Sequence, residues 1–189
     1  SRGYSVLATR EPGGTPLGEE IRRMLLEKKQ SVAICPVAEL FLFLSARAQH
    51  LDEVILPALD RGAIVLCDRF NDSTIAYQGY ARGLGVDYVT KLCNLACRDF
   101  HPDLTLLLDV PTEEGLKRTR QAQKENAASG DVDRIESEAF SFHEKVRRGL
   151  LQQANEHPER FSIIDARRPL EDVIETAAEV VLAMLAAKC

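Results

Sequence analysis

The chain has 189 residues, with 24 Lys and Arg against 29 Asp and Glu and a formal net charge of −5. That length favours one domain with a sizeable core, and the acidic balance excludes a broad basic surface for nucleic acid, so phosphate binding would have to come from local arginine clusters. No apolar run reaches membrane-spanning length and no signal peptide is visible, so the sequence points to a cytoplasmic protein without a membrane partner.

Tyr4 to Thr9 reads as a strand. It ends in Arg10-Glu11-Pro12-Gly13-Gly14, a charged pair followed by residues that break regular structure and permit unusual backbone angles. Thr15-Pro16 supplies an N-cap and a first-turn proline. The helix they start should run to about Lys28, with Ile21, Met24 and Leu25 on its apolar face. Pro36 opens a long helical pattern in which Val37, Leu40, Phe41, Leu44, Ala48 and Leu51 recur at helical spacing. Pro57 should end or kink it. Phe43 and Arg47 are four apart and share a helix face. An aromatic plate beside a guanidinium suits a flat heterocycle, and ordinary packing with a solvated Arg is the alternative.

After Gly62 comes Ala63-Ile64-Val65-Leu66-Cys67-Asp68-Arg69-Phe70. Its short, β-branched apolar run fits a strand buried on both faces. Its end switches to an acid and a guanidinium, where open α/β sheets place their ligands. Arg69 suits a two-pronged grip on phosphate, and Asp68 could orient it or hold a hydrated Mg²⁺. A surface ion pair is the plainer alternative. Asn71 or Asp72 can cap the next helix, in which Gln78 lies one turn after Thr74. Val86 to Asp99 is an amphipathic helix. Cys93 and Cys97 lie four apart on it, as two buried small side chains. With Cys35, Cys67 and Cys189 they make five scattered cysteines, and no zinc-type arrangement is present. Leu104 to Val110 is a second buried strand. Pro111-Thr112 starts a helix carrying Lys117, Arg118 and Arg120. From about Gln121 to Asp133 the chain turns polar and loses periodicity, as a lid would. A helix to about Glu156, a strand from Phe161 to Asp165 and a helix from Pro169 to Ala187 complete the pattern. Strands alternating with helices predict a parallel sheet covered on both faces.

Arg10-Glu11 and Asp68-Arg69 should lie along one rim of that sheet, and Arg118, Arg120 and Arg134 should bracket the lid. Phosphoryl transfer needs this kind of distribution: positioning, charge neutralisation and exclusion of water. The four His are dispersed, and His50 reads as a surface or packing residue rather than a base.

Thr9-Arg-Glu-Pro-Gly-Gly-Thr15, Phe43-x-x-x-Arg47, Asp68-Arg-Phe70, Asp72-Ser-Thr-x-Ala-Tyr-Gln-Gly79, Pro102-Asp-Leu-Thr-Leu-x-Leu-Asp109 and Asp133-Arg-x-Glu136 occur in that order. Together they resemble bacterial thymidylate kinase over almost the whole chain. The resemblance implies an α/β, three-layer P-loop nucleoside-monophosphate-kinase fold with sheet order 2-3-1-4-5. It implies transfer of a phosphoryl group from ATP to dTMP, giving dTDP, with Mg²⁺, in a homodimer built on long helices that include the one from Pro36. It also implies roles. Phe43 would stack on thymine and Arg47 would bond its edge, with Thr74 and Gln78 completing the base and sugar pocket. Arg69 would hold the dTMP phosphate, helped by Arg22, and Glu11 would shape that pocket. Asp68 would organise magnesium and phosphate, through water. Arg118, with Arg120 nearby, would lie along the adenine side. Arg134 would close with the lid, about residues 121–134, to neutralise the transferring group.

One departure is large. No G-x-x-x-x-G-K-[ST] pattern occurs in the sequence, although such a loop would cradle the ATP phosphates. In the family the strand, loop and helix concerned precede the strand at Tyr4, so the chain reads as one N-terminally incomplete domain lacking strand 1. A gap between the strands at Ala63 and Leu104, and no kinase activity for this polypeptide alone, are the expectations. Two other readings stay open: a non-catalytic nucleotide-binding or dimerisation module, and a kinase for another pyrimidine nucleotide.

Overall fold

A computed structural model describes residues 3–27, 33–125 and 134–188. Strand β1 (Val6–Arg10) pairs in parallel with β2 (Ile64–Asp68), in a register running from Val6 opposite Ile64 to Arg10 opposite Asp68. Strand β3 (Thr105–Asp109) pairs in parallel with β4 (Phe161–Asp165), from Thr105 opposite Phe161 to Asp109 opposite Asp165. Among the described residues these are two separate two-stranded sheets, and β2 is not hydrogen-bonded to β3.

That separation corrects one expectation. The strand after Gly62 is not buried on both faces: Leu66 is 49 % exposed, and Leu108 in β3 is 53 % exposed. Each strand has one ladder partner, and no described segment covers these two side chains.

The helices follow from local chemistry. The Thr15 hydroxyl accepts the Gly18 amide at 2.9 Å and caps α1 (Pro16–Leu26), whose first position takes the proline that lacks a donor. Ile21 and Leu25 are buried as expected, but Met24 is exposed. Helix α2 (Pro36–His50) runs through a π-helical turn (Leu51–Ile55) into α3 (Leu56–Asp60). Where an end or a kink was expected at Pro57, the helix continues through this widened turn, which accommodates the missing N–H. On α2, Leu40 and Leu44 are buried while Val37 and Phe41 face outward.

After β2 come a short helix α4 (Asn71–Thr74), a π-helical stretch (Ile75–Ala81) and α5 (Val86–Cys97). Neither Asn71 nor Asp72 caps α4. Phe70 holds the cap position, and the Asp72 carboxylate is gripped instead by Arg160 at 2.5 and 2.9 Å and by the Thr105 hydroxyl at 3.0 Å. Helix α6 (Thr112–Glu125) continues past Gln121, where a loop was expected. The rest of the expected lid, with Asp133, lies outside the described residues. Helix α7 (Phe140–Glu156) and α8 (Leu170–Lys188) complete the chain.

The core is mostly helix on helix. Leu40, Leu44, Ile75, Val89 and Cys93 form one cluster; Leu51, Ile55, Phe70 and Cys97 form another. Cys93 and Cys97 thus serve as small apolar side chains. A third cluster, Ala76, Ile135, Phe142 and Val146, joins α7 to the π-helical stretch.

Candidate active site

Parallel pairing sets Arg10 beside Asp68, and the Glu11 amide donates to the Asp68 carbonyl at 2.9 Å, so both charged pairs share one rim. Arg10 turns outward to Glu19, at 3.1 Å. Glu11 turns inward. The chain then folds sharply through Gly14, at φ +79°, where an added Cβ would sit 2.5 Å from His50 Nε2. Only glycine fits there.

Glu11 is the hub beneath the rim. Its Oε2 accepts from Arg47 Nε at 2.6 Å, and its Oε1 accepts from His50 Nδ1 at 2.9 Å. His50 Nε2 and the Thr9 hydroxyl share a 2.7 Å hydrogen bond. His50 is therefore a buried packing residue. Arg47 is only 2 % exposed. It donates to the Thr74 hydroxyl at 2.8 Å and lies 5.2 Å from the Phe70 ring centre. Burial pushes its pKa down, but the Glu11 carboxylate outweighs that and raises it, so Arg47 stays charged.

Glu11, His50 and Cys67 bring ligand-type atoms within 4.8 Å of one another. They do not make a metal centre. Both Glu11 oxygens are taken, and burial, aided by Glu11, pushes the Cys67 thiol up to about 12.

Above this layer lies a cavity of about 230 Å³. Glu11 and Arg22 line it from the first strand–helix unit, Phe43 and Arg47 from α2, Asp68 and Arg69 from the end of β2, and Thr74 and Gln78 from the following helical stretch. Four segments scattered over the sequence thus meet around one space. Arg22 donates from Nη1 to the Pro12 carbonyl at 2.9 Å, which ties one nitrogen of its guanidinium to the turn after β1. Arg69 stands at φ +70°, a left-handed conformation that a non-glycine residue adopts at a cost. Its guanidinium lies 5.2 Å from the Tyr77 ring centre. The Asp68 side chain makes no ion pair with a described residue, so its oxygens remain available for a hydrated cation.

The other arginines lie elsewhere. Arg118 pairs with Glu114 and donates to the Ala166 carbonyl at 2.8 Å, and Arg120 is exposed on α6. Arg134 pairs with Glu39 and donates from Nε to the Leu25 carbonyl at 2.9 Å, while its amide donates to Leu26 at 3.0 Å. Here it acts as a strut between α1 and α2. None of the three lines the cavity.

The cavity also uses residues that sequence reasoning passed over. Tyr77 and Glu136 stand inside motifs already quoted, yet nothing in the spacing gave them roles. His143, on α7, is one polar position in an amphipathic helix and carries no sequence signal. Its ring meets Phe142 edge-on at 5.6 Å, and its buried Nε2 has no hydrogen-bond partner among the described residues.

The family model described as Thymidylate kinase matches residues 1–177. The chain belongs to the thymidylate kinase family. Members of this family are phosphotransferases that use ATP as donor. The chain is 52 % identical over 179 residues to the thymidylate kinase of Protochlamydia amoebophila, covering 95 % of this chain and 80 % of that one. It is 50 % identical over 174 residues to that of Chlamydia caviae (91 % and 80 %), and 51 % identical over 177 residues to that of Desulfovibrio desulfuricans (92 % and 80 %).

Proposed function

We propose that the cavity binds dTMP and that the chain transfers a phosphoryl group to it from ATP. The observation that carries this is the convergence of Glu11, Arg22, Phe43, Arg47, Arg69, Thr74 and Gln78 on one space. A half-buried ring, Phe43, and buried polar groups suit a base at one side. Two arginines, Arg22 and Arg69, suit a phosphate at the other, where paired charge-assisted hydrogen bonds act. Asp68 would hold Mg²⁺ through water, and the ion would neutralise charge on the transferring group. Arg118 and Arg120 would serve the adenine side. A charge-neutralising role for Arg134 would first need its release from Glu39.

The sheet reading extends this. In the order 2-3-1-4-5, β1 and β2 would be the first two positions, and β3 and β4 the last two. The edges of β2 and β3 that lack a ladder partner among the described residues, with Leu66 and Leu108 exposed, support a strand seated between them. A phosphate-cradling loop following that strand would come beside Asp68. Joining a family-type strand, loop and helix ahead of Ser1 should raise the thermal midpoint and support dTMP-dependent ATP turnover; no change in either would count against the seat. Val37 and Phe41, exposed on α2, suit a homodimer through that helix, and a monomeric mass in sedimentation would refute it.

The decisive experiment is Arg69→Gly. Glycine keeps the left-handed backbone and removes the fork. At roughly 1.5–3 kcal/mol per charge-assisted hydrogen bond, dTMP affinity should fall at least ~10-fold while thymidine, which lacks the phosphate, is little affected. Equal losses for both would show that Arg69 does not hold the phosphate.

A further inference from the structure

Glu39 is 1 % exposed and does not line the cavity, yet it carries a carboxylate. Such a group is rarely buried unless fully bonded. Here it is. Oε1 accepts from Gln78 Nε2 at 2.9 Å and from Arg82 Nε at 3.1 Å; Oε2 accepts from Arg82 Nη2 at 3.2 Å and from Arg134. Arg82 is itself held by Glu138 at 2.6 Å and lies 4.6 Å from the Phe142 ring centre. The cluster fixes three segments of the chain around one charge.

The consequence for Gln78 is chemical. A carboxylate can only accept, so the Gln78 amide must turn its NH₂ toward Glu39. Its carbonyl oxygen is the end left over, and it takes no hydrogen bond from a described residue. Gln78 lines the cavity. Arg47, its neighbour in the lining, has spent Nε on Glu11 and Nη1 on Thr74, which leaves Nη2 as an uncommitted donor. The lining therefore offers one fixed acceptor and one fixed donor. The edge that matches them has a carbonyl oxygen next to a ring N–H, as thymine and uracil do at O4 and N3. Cytosine presents the reverse, an amino group next to an unprotonated ring nitrogen, and would meet donor with donor and acceptor with acceptor.

We propose that Glu39 is a positioning residue that sets base selectivity, by locking the Gln78 amide so that the pocket accepts keto pyrimidines and rejects cytosine. This rests on the cavity being the dTMP site.

The test is calorimetric titration of dTMP, dUMP and dCMP into the wild type, Glu39→Gln and Gln78→Met. A glutamine at position 39 can meet Gln78 in either orientation, so the lock is lost. The wild type should bind dTMP and dUMP at least ~10-fold tighter than dCMP, from the cost of leaving buried polar groups unpaired. In both variants that ratio should shrink toward unity. Should Glu39→Gln fail to fold because it strands Arg82 and Arg134, the double variant Glu39→Gln/Arg82→Met keeps the net charge and replaces it. A merely structural Glu39 would change the thermal midpoint and weaken all three nucleotides alike, leaving the ratio unchanged; that result overturns the proposal. So does loss of the ratio in only one of the two positions. A wild type that binds none of the three nucleotides instead refutes the substrate reading, and the inference with it.

Discussion

Replacing Arg47 by Met keeps most of the side chain's volume and removes its charge and hydrogen bonds. Glu11 is then left with its side chain 3 % exposed and only His50 Nδ1, at 2.9 Å, to answer its charge. Removing one partner of a buried ion pair costs about 3–5 kcal/mol, because the other charge stays desolvated. The remaining His50 bond places the expectation near the low end, about 3 kcal/mol. In a chain of this size each kcal/mol moves the thermal midpoint by ~2–4 °C, so a fall of ~6–12 °C should follow. Urea titration followed by far-ultraviolet circular dichroism measures the free energy directly. The double variant Arg47→Met/Glu11→Gln removes the stranded charge, and its loss should be at least ~1.5 kcal/mol smaller than the sum of the two single losses. A loss under ~1 kcal/mol in Arg47→Met, or strict additivity in the double variant, would refute the claim that this pair carries an obligatory buried charge.

Two further outcomes are open to measurement. Burial raises the Glu39 pKa, but hydrogen bonds from Arg82, Arg134 and Gln78 outweigh it and hold the carboxyl below its ordinary value of 4.5. A depressed folded pKa gives stability that is fully present above that ordinary value and is lost as pH falls through the folded one. The wild-type midpoint should therefore drop more steeply on acidification below pH 4.5 than that of Glu39→Gln; parallel curves would contradict the burial network. Burial pushes Cys93 and Cys67 up to about 12 and also raises Cys97, whereas Cys35 is exposed. Iodoacetamide at about pH 8 should label Cys35 and spare those three until the protein unfolds, since only the thiolate reacts. Labelling of Cys67 at the rate of Cys35 would show its burial to be wrong.

Much of this was legible in the sequence. Alternating elements, the Thr15-Pro16 helix start and the Asp68-Arg69 strand end are local signals, and local signals survive folding. Glu11, Phe43, Arg47, Asp68, Arg69, Thr74 and Gln78 were legible through short motifs, whereas Arg22 and His143 stand outside them. What sequence could not give was the bonding beneath them. Glu39 is 43 residues from Arg82, 39 from Gln78 and 95 from Arg134. No helical or strand period links such positions, so a buried Glu reads like any other surface acid. The same holds for Asp72, which looked like a helix cap and proved to be the partner of Arg160, 88 residues on. Arg134 shows the converse. Its motif suggested a place at the moving edge of the site, and nothing local in the sequence pointed to its bonds with Glu39 and the last carbonyls of α1.

The break between β2 and β3 also bears on how the described residues can deform while no strand is seated between them. A continuous sheet resists twisting through its ladder of main-chain hydrogen bonds. Among the described residues no such ladder crosses from one strand pair to the other. Helix α7 spans the divide, packing on the π-helical stretch and on β3 and β4, and side chains fasten it. On α7, Gln153 donates to the Asp72 carbonyl at 3.1 Å and Arg147 holds Asp109 at 2.7 and 2.8 Å, and just before β4 Arg160 holds Asp72. Among the described residues, the two strand pairs could alter their mutual angle without breaking a strand-to-strand bond. The restoring force then comes from the apolar packing of α7 on the π-helical stretch and from these polar clasps, and dissolved ions that screen Arg147–Asp109 and Arg160–Asp72 would soften it.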